Sequence, residues 1–239
     1  MVMRSIFIPL YNEERIIERN AKAVHDIVSS WDGDGKFELF IVDDASKDKT
    51  EERARRLTEK HPEIKYIRFE NGPSRRENLG RALLKAKGDT VIFLDADLAT
   101  DLSALKHLVD AVEKEGYDIA IGDRYHPRSK TYRSTDRKAI SVLYNAALRL
   151  YFGSRLRDHQ CGFKAFRREA LFPLLKEMGY DRRIRRGWFW DAELLIRAQR
   201  KGFRIRSLPV RWREGEKTTF SPIQEIRMIP YVLRLRFRL

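Results

Sequence analysis

Short β-rich apolar runs at 6–10, 37–42, 65–69, 90–94 and 117–121 recur through the first half of the chain, with amphipathic stretches near 13–30, 48–60, 75–87 and 101–116 between them. No other feature restricts the fold as strongly. Asp48 and Asp101 stand where helix N-caps belong, and Gly88 and Gly116 where helices should stop. Alternation of this kind predicts an α/β fold: a mostly parallel sheet with helices on both faces. Ligands of such sheets bind outside the carboxyl ends of the strands. The segments there read "IPLYNEE", "IVDDAS", "FLDADLATD" and "IGDR", so acidic side chains from several strands should meet on one rim.

"FLDADLATD" is the sharpest of these. Residues i and i+2 of a strand share a face, so Asp95 and Asp97 would lie side by side at the strand end, with Asp101 close behind. Two adjacent like charges are unfavourable unless a cation lies between them, and a divalent ion held by oxygen ligands is the usual solution. A solvated loop with capping acids would also place carboxylates here, although a cap needs only one of the three.

The second half is less regular. A helix is expected over 135–152, then "DHQCGFKAF" as a loop or short strand, a helix over 169–178 and the basic connection "DRRIRRG". "WFWDAELLIRAQRKG" reads as a helix stopped by Gly202, and "FRIRSLPVRW" as a strand ending at a turn. Charge divides the same way: residues 1–120 hold 20 Lys and Arg against 24 Asp and Glu, and residues 121–239 hold 29 against 11. The basic half suggests an anionic partner, with nucleic acid, a phosphorylated substrate and an anionic membrane surface all compatible. Carboxylates with a divalent ion opposite a basic half suit a diphosphate leaving group clamped by arginines. The phosphate-loop and dinucleotide glycine fingerprints are missing, which argues against an NTPase or a Rossmann dehydrogenase.

In order and spacing, "IPLYNEE", "IVDDAS", "NLGRALLKAKGD" and "FLDADLATD" resemble glycosyltransferase family 2 with the GT-A fold. "RDHQCGFKAFRREAL", "WFWDAELLIRAQRKG" and "LPVRWREGEKT" are similar to its polyprenyl-phosphate branch, the dolichyl-phosphate mannose synthases and glucosyltransferases. The resemblance implies inverting transfer of glucose or mannose from a nucleotide-diphosphate sugar to a polyprenyl or dolichyl phosphate, with Mg²⁺ or Mn²⁺. By position it implies Pro9, Tyr11, Glu13, Asp43, Asp44, Arg81, Asp95 and Arg124 at the donor, and Asp95 and Asp97 as metal ligands. It implies Arg137, Arg213 and Lys217 near acceptor phosphate, and Asp158 and Asp191 near the reacting sugar. Ala99 stands where many relatives carry Gln or Ser, which leaves a third metal position to water or Asp101. Glu216 stands where relatives usually carry Ser. "DHQCGFK" and Trp212–Glu214 lean towards UDP-glucose, with GDP-mannose the close alternative.

The expected organisation is a catalytic domain over 1–220 and a basic amphipathic helix over 221–239. In the latter, Ser221 and Pro222 start a helix, Ile223, Ile226, Ile229, Leu233 and Phe237 recur at helical spacing, and Pro230 should kink or break it. Such a helix suits an anionic membrane interface. No apolar stretch approaches the ~18–20 residues of a bilayer crossing, and no signal-peptide pattern opens the chain. A peripheral protein on the cytoplasmic face, not secreted, is therefore expected. If the acceptor were a sugar or protein hydroxyl, Asp191 would be the general base. A nucleic-acid-binding module is the remaining alternative, with no stacking or recognition-helix pattern behind it. Glu14 reads equally as a first-turn acid, Cys161 as a small buried residue, and Trp188 and Trp190 as core or as walls for sugar or lipid. The arginine run 182–186 is compatible with a solvated face or with lipid headgroups.

Overall fold

The computed structural model describes residues 2–31, 36–183, 185–215 and 228–239. Strands β1 (Arg4–Leu10), β2 (Phe37–Asp43), β3 (Ile64–Arg68), β4 (Thr90–Leu94), β5 (Ile119–Asp123), β7 (Phe163–Arg167) and β8 (Ile205–Pro209) form one seven-stranded sheet in the order β3-β2-β1-β4-β7-β5-β8. All its pairings are parallel except the two made by β7. The segment left open between loop and strand is thus an antiparallel strand wedged between β4 and β5. Two further strands, β6 (Lys130–Tyr132) and β9 (Arg211–Arg213), pair as a small ribbon.

Both faces of the sheet are buried, which is why its central strands are nearly uninterrupted apolar runs. Ile6, Ile8, Ile92 and Leu94 pack beneath α1 (Ile17–Ser29), α2 (Thr50–Lys60) and α4 (Leu105–Glu113). Phe7, Val91 and Phe93 pack on the other face against α3 (Glu77–Leu83), α6 (Arg168–Met178) and α7 (Trp190–Arg200). A third apolar cluster joins α5 (Thr135–Phe152), α7 and α8 (Ile229–Leu235).

Most expected boundaries lie within a few residues of the observed ones. The start of α3 shifts from 75 to Glu77 because Arg75 and Arg76 both adopt positive φ, 50° and 84°. Asp101 caps the turn before α4 by accepting from the Ser103 amide at 2.8 Å. Asp48 accepts from the Thr50 amide and from the Glu14 amide, tying the start of α2 to the loop after β1. Pro230 does not break the described C-terminal helix: it lies in the first turn of α8, where its missing N–H costs nothing. Residues 221–227, and with them the expected helix start and domain boundary, lie outside the described residues.

Candidate active site

The carboxyl ends of β1, β2 and β4 and the start of α3 form the rim. Every described non-glycine residue with positive φ belongs to it: Asn12, Ala45, Arg75, Arg76 and Leu98. Left-handed backbone at such residues costs about 1–3 kcal/mol each and persists where surrounding structure enforces it, typically at functional sites. Here the enforcement is visible. Asn12 donates its amide to Ser46 Oγ and accepts from the Lys47 amide, and Glu14 accepts from the Lys49 amide, so the loops after β1 and β2 are laced together. Glu14 is therefore structural, while Pro9, Tyr11 and Glu13 remain partly accessible along the rim.

The two acids after β2 divide. Asp43 is fully buried and its oxygens accept from the Ser46 amide, Tyr66 Oη and Arg68 Nη1. Asp44 is only half-buried and accepts from Ser74 and from Asn78 Nδ2. Of this pair, both expected at the donor, Asp43 is consumed by internal bonds and Asp44 borders the rim. Arg81 lies outside this loop, stacked over Phe69 and Tyr180.

β7 shapes the metal end of the rim. The Asp95 amide donates to the Gly162 carbonyl at 2.9 Å, and the Asp95 carboxylate lies so close to Gly162 that a Cβ there would be 1.9 Å from Oδ2. Only glycine fits this position. A Cβ on Gly215 would be 2.9 Å from Asp97 Oδ2, so the turn after β9 closes on the same acids. Asp97 is exposed, yet partial desolvation of its carboxyl, followed by the like charges of Asp95 and Glu13, pushes its pKa up to about 6. That electrostatic conflict is what a divalent cation relieves, so the two acids fit a metal. No group of three or more His, Cys, Asp or Glu suited to a metal gathers among the described residues, so oxygens from a ligand or water would complete the shell.

A buried charge network adjoins them. Arg76, extending from the strained turn, reaches Asp95 Oδ1 at 2.5 Å and Asp191 Oδ2 at 3.2 Å. Lys164 of β7, wholly buried, donates to Asp191 Oδ1 at 2.7 Å and to the Cys161 carbonyl. Both cations lie over the Phe93 ring. Asp191, at the start of α7, is thus held by a cation on each oxygen. Asp158 is also enclosed: Arg124 Nε and Nη2 grip its two oxygens at 2.7 and 2.8 Å, and the Arg124 and Gln160 amides add to them. Burial would raise the Asp158 pKa, but the Arg124 guanidinium outweighs it and holds the carboxyl down to about 2. Asp158, expected near the reacting sugar, is buried with both oxygens committed to holding Arg124. Arg124 in turn has Nε and Nη2 committed to Asp158 and lies over the Trp212 and Tyr125 rings.

Breaking this buried pair should be expensive. Asp158→Asn is expected to lower stability by about 3–5 kcal/mol, because it strands a buried guanidinium. With a folded-state pKa below the unfolded one, the carboxylate's contribution is fully present above about pH 4 and lost as pH falls towards about 2. Urea denaturation of parent and variant between pH 7 and 2 checks both points: the gap between the two should narrow with acid.

Arg133 and Arg137 converge on Glu214 Oε1 at 3.2 and 2.8 Å, with Arg133 also over Trp212. Arg213 is exposed beside the Tyr132 ring, and Lys217 lies outside the described residues. Trp190 is core, packed edge-on to Phe93, whereas Trp188 is half-buried with Arg75 over its ring. Burial pushes the Cys161 thiol up to about 12, which leaves it inert. Sequence reasoning passed over Arg76, Lys164 and Gly162. Lys164 carried a signal, since a lone lysine inside "GFKAF" needs a buried partner. Arg76 carried none, because its position depends on backbone strain.

Strand order, rim acids and the inserted antiparallel strand define a GT-A glycosyltransferase fold. The model of "Glycosyl transferase family 2" matches residues 5–172, and the chain belongs to that family. It is 39% identical over 222 residues to glycosyltransferase AglD of Haloferax volcanii, covering 93% of this chain and 35% of that protein. With a dolichyl-phosphate beta-glucosyltransferase of Trichomonas vaginalis it shares 31% identity over 229 residues, 92% of this chain and 69% of the relative. The chain thus spans about a third of the first relative's length. Among solved structures, glucosyl-3-phosphoglycerate synthase from Mycobacterium tuberculosis, in complex with Mn²⁺, UDP and glucosyl-3-phosphoglycerate, aligns with a TM-score of 0.67. That alignment covers 98% of this chain and 80% of the synthase at 24% identity, and it supports the fold alone.

Proposed function

We propose that this chain transfers a hexose, glucose in preference to mannose, from a nucleotide-diphosphate sugar to a polyprenyl phosphate, with inversion at the anomeric carbon. The observation that carries the reading is the state of Asp191. With Lys164 on one oxygen and Arg76 on the other, it is arranged to hold position and not to accept a proton. A hydroxyl acceptor needs such a base, whereas a phosphate monoester, with a second pKa near 6, is already largely dianionic at neutral pH.

Asp95 and Asp97 would hold Mg²⁺ or Mn²⁺, which when bound offsets charge on the departing diphosphate. Asp44, Tyr11 and Glu13 line the path for the nucleoside. Arg133 and Arg137, brought together by Glu214, would meet the acceptor phosphate. The dolichyl-phosphate beta-glucosyltransferase relative supports glucose and a lipid phosphate, and the crowded carboxylates of Asp95 and Asp97 support the metal. Family membership displaces the nucleic-acid reading. The test is a transfer assay with a polyprenyl phosphate, Mg²⁺ or Mn²⁺, and UDP-glucose or GDP-mannose. Product from UDP-glucose is expected; transfer only to sugar hydroxyls would favour the hydroxyl-acceptor alternative.

The reading includes a membrane contact. No helix among the described residues is long and apolar enough to cross a bilayer. Instead α5 and the turn that follows α8 present apolar side chains outward, with Leu143 72% exposed and Leu150 and Phe237 each 86%. A groove between the two helices is lined by Leu150, Tyr151, Leu233 and Arg236, and a 720 Å³ cavity beside α8 is lined by Arg185, Arg234 and Arg238 among others. Apolar side chains rimmed by arginine suit an anionic interface. Arg234, Arg236 and Arg238 to Gln should weaken sedimentation with anionic liposomes by about 1 kcal/mol per lost charge. Raised salt should weaken the parent in the same assay, and undiminished binding of the triple variant would move the contact elsewhere.

A further inference from the structure

Arg76 occupies the place where the acids of the site need a cation. Its side chain is only 10% exposed, is spread between Asp95 and Asp191, and is delivered by two consecutive residues in left-handed conformation. Glu77, the next residue, is locked from behind by Arg186 Nε at 2.8 Å and by the Asp181 amide at 3.0 Å, which fixes the backbone from which Arg76 projects. Asp191 has a second cation, Lys164, so it stays compensated if Arg76 leaves. Asp95 makes no other ion pair among the described residues, where Arg76 is its counter-charge. Asp97 has no ion pair there at all.

We propose that Arg76 is a built-in counter-cation that holds Asp95 in the metal-free enzyme and passes to the donor diphosphate when metal and nucleotide arrive together. The proposal rests on the metal–nucleotide reading above. A divalent ion bound alone would take Asp95 from the guanidinium and leave two cations facing each other in a poorly solvated place, which is costly. A diphosphate supplies the displaced guanidinium with new oxygens in the forked geometry arginine favours. Metal alone should therefore bind weakly and metal with nucleotide cooperatively, and the coupling must be reciprocal. Lys164 keeps Asp191 paired and in place when its bond to Arg76 is given up, so only Asp95 depends on the incoming metal for a counter-charge.

The test is Mn²⁺ binding, with free ion counted by electron paramagnetic resonance, for the parent, Arg76→Gln and Arg76→Lys, each with and without UDP. In the parent, UDP should tighten Mn²⁺ binding by about 5- to 150-fold. Arg76→Gln should bind Mn²⁺ alone at least about fivefold more tightly than the parent, and its gain from UDP should shrink to match. Thermal melting of the metal-free proteins reports folding. If the Gln variant does not melt cooperatively, Arg76→Lys carries the test: a point charge cannot span both carboxylates, so its affinity for Mn²⁺ alone should also rise, though less. Unchanged or weaker Mn²⁺ binding in the folded variants, with the nucleotide effect intact, overturns the assignment of Arg76 alone. A parent whose Mn²⁺ binding responds to neither UDP nor GDP overturns this proposal and the donor reading together.

Discussion

Asp97→Asn is expected to cut metal-supported transfer by about 10²–10³-fold in kcat, the range found when one electrostatic contact to developing charge is removed. The change removes charge without volume. Asp97 is exposed, and among the described residues its carboxylate accepts from the Ala99 amide alone, so the melting temperature should stay within about a degree or two of the parent. Loss of activity without loss of fold separates a ligand from a structural acid. Asp101→Asn is the control, because its carboxylate accepts from the Ser103 amide and caps a turn. Asparagine can accept the same amide bond, so stability and metal dependence should both stay close to the parent's. A severe loss in Asp101→Asn would mean that Asp101 fills the position opened by Ala99. Parent-like turnover of Asp97→Asn at limiting Mn²⁺ would remove Asp97 from the metal site.

The parts of this site legible in the sequence are those set by local pattern. Alternating apolar runs gave the sheet, and the two-residue period of a strand gave the pairing of Asp95 with Asp97 at its end. Long-range placement left weaker traces. β7 is short and sits between strands far from it in sequence, so "CGFKAF" could be read as loop or strand, yet its insertion brings Gly162 against Asp95 and Lys164 against Asp191. Charge identity was legible and charge state was not. Arg124 and Asp158 look like two functional groups in the sequence, but 34 residues apart they form one buried pair. Asp43 and Asp44 are neighbours in sequence, and only the fold shows that one turns inward to Arg68 while the other borders the rim. Arg76 illustrates the limit: in "PSRRENLG" nothing marks the second arginine over the first, and left-handed backbone at both decides which reaches the carboxylates.

Asp191→Asn should produce the other large effect, and its pH dependence separates the two acceptor classes. In the parent both oxygens of this carboxylate face cations, Lys164 at 2.7 Å and Arg76 at 3.2 Å. Neutralising it leaves the wholly buried Lys164 without its acid, so the variant should lose about 3–5 kcal/mol of stability. Assays must therefore be run well below its melting temperature. With a polyprenyl phosphate acceptor the nucleophile is already ionised above about pH 6. The rate should then fall because the sugar and Arg76 are misplaced, and no alkaline recovery should appear. With a hydroxyl acceptor the same change would remove a general base worth ~10²–10⁴-fold, and weak turnover should return as pH rises and the hydroxyl ionises unaided. A pH–rate profile of the variant on each acceptor distinguishes these cases. Partial rescue at high pH, together with no transfer to polyprenyl phosphate by the parent, would overturn the phosphate-acceptor reading and make Asp191 a base, with Lys164 and Arg76 serving only to orient it.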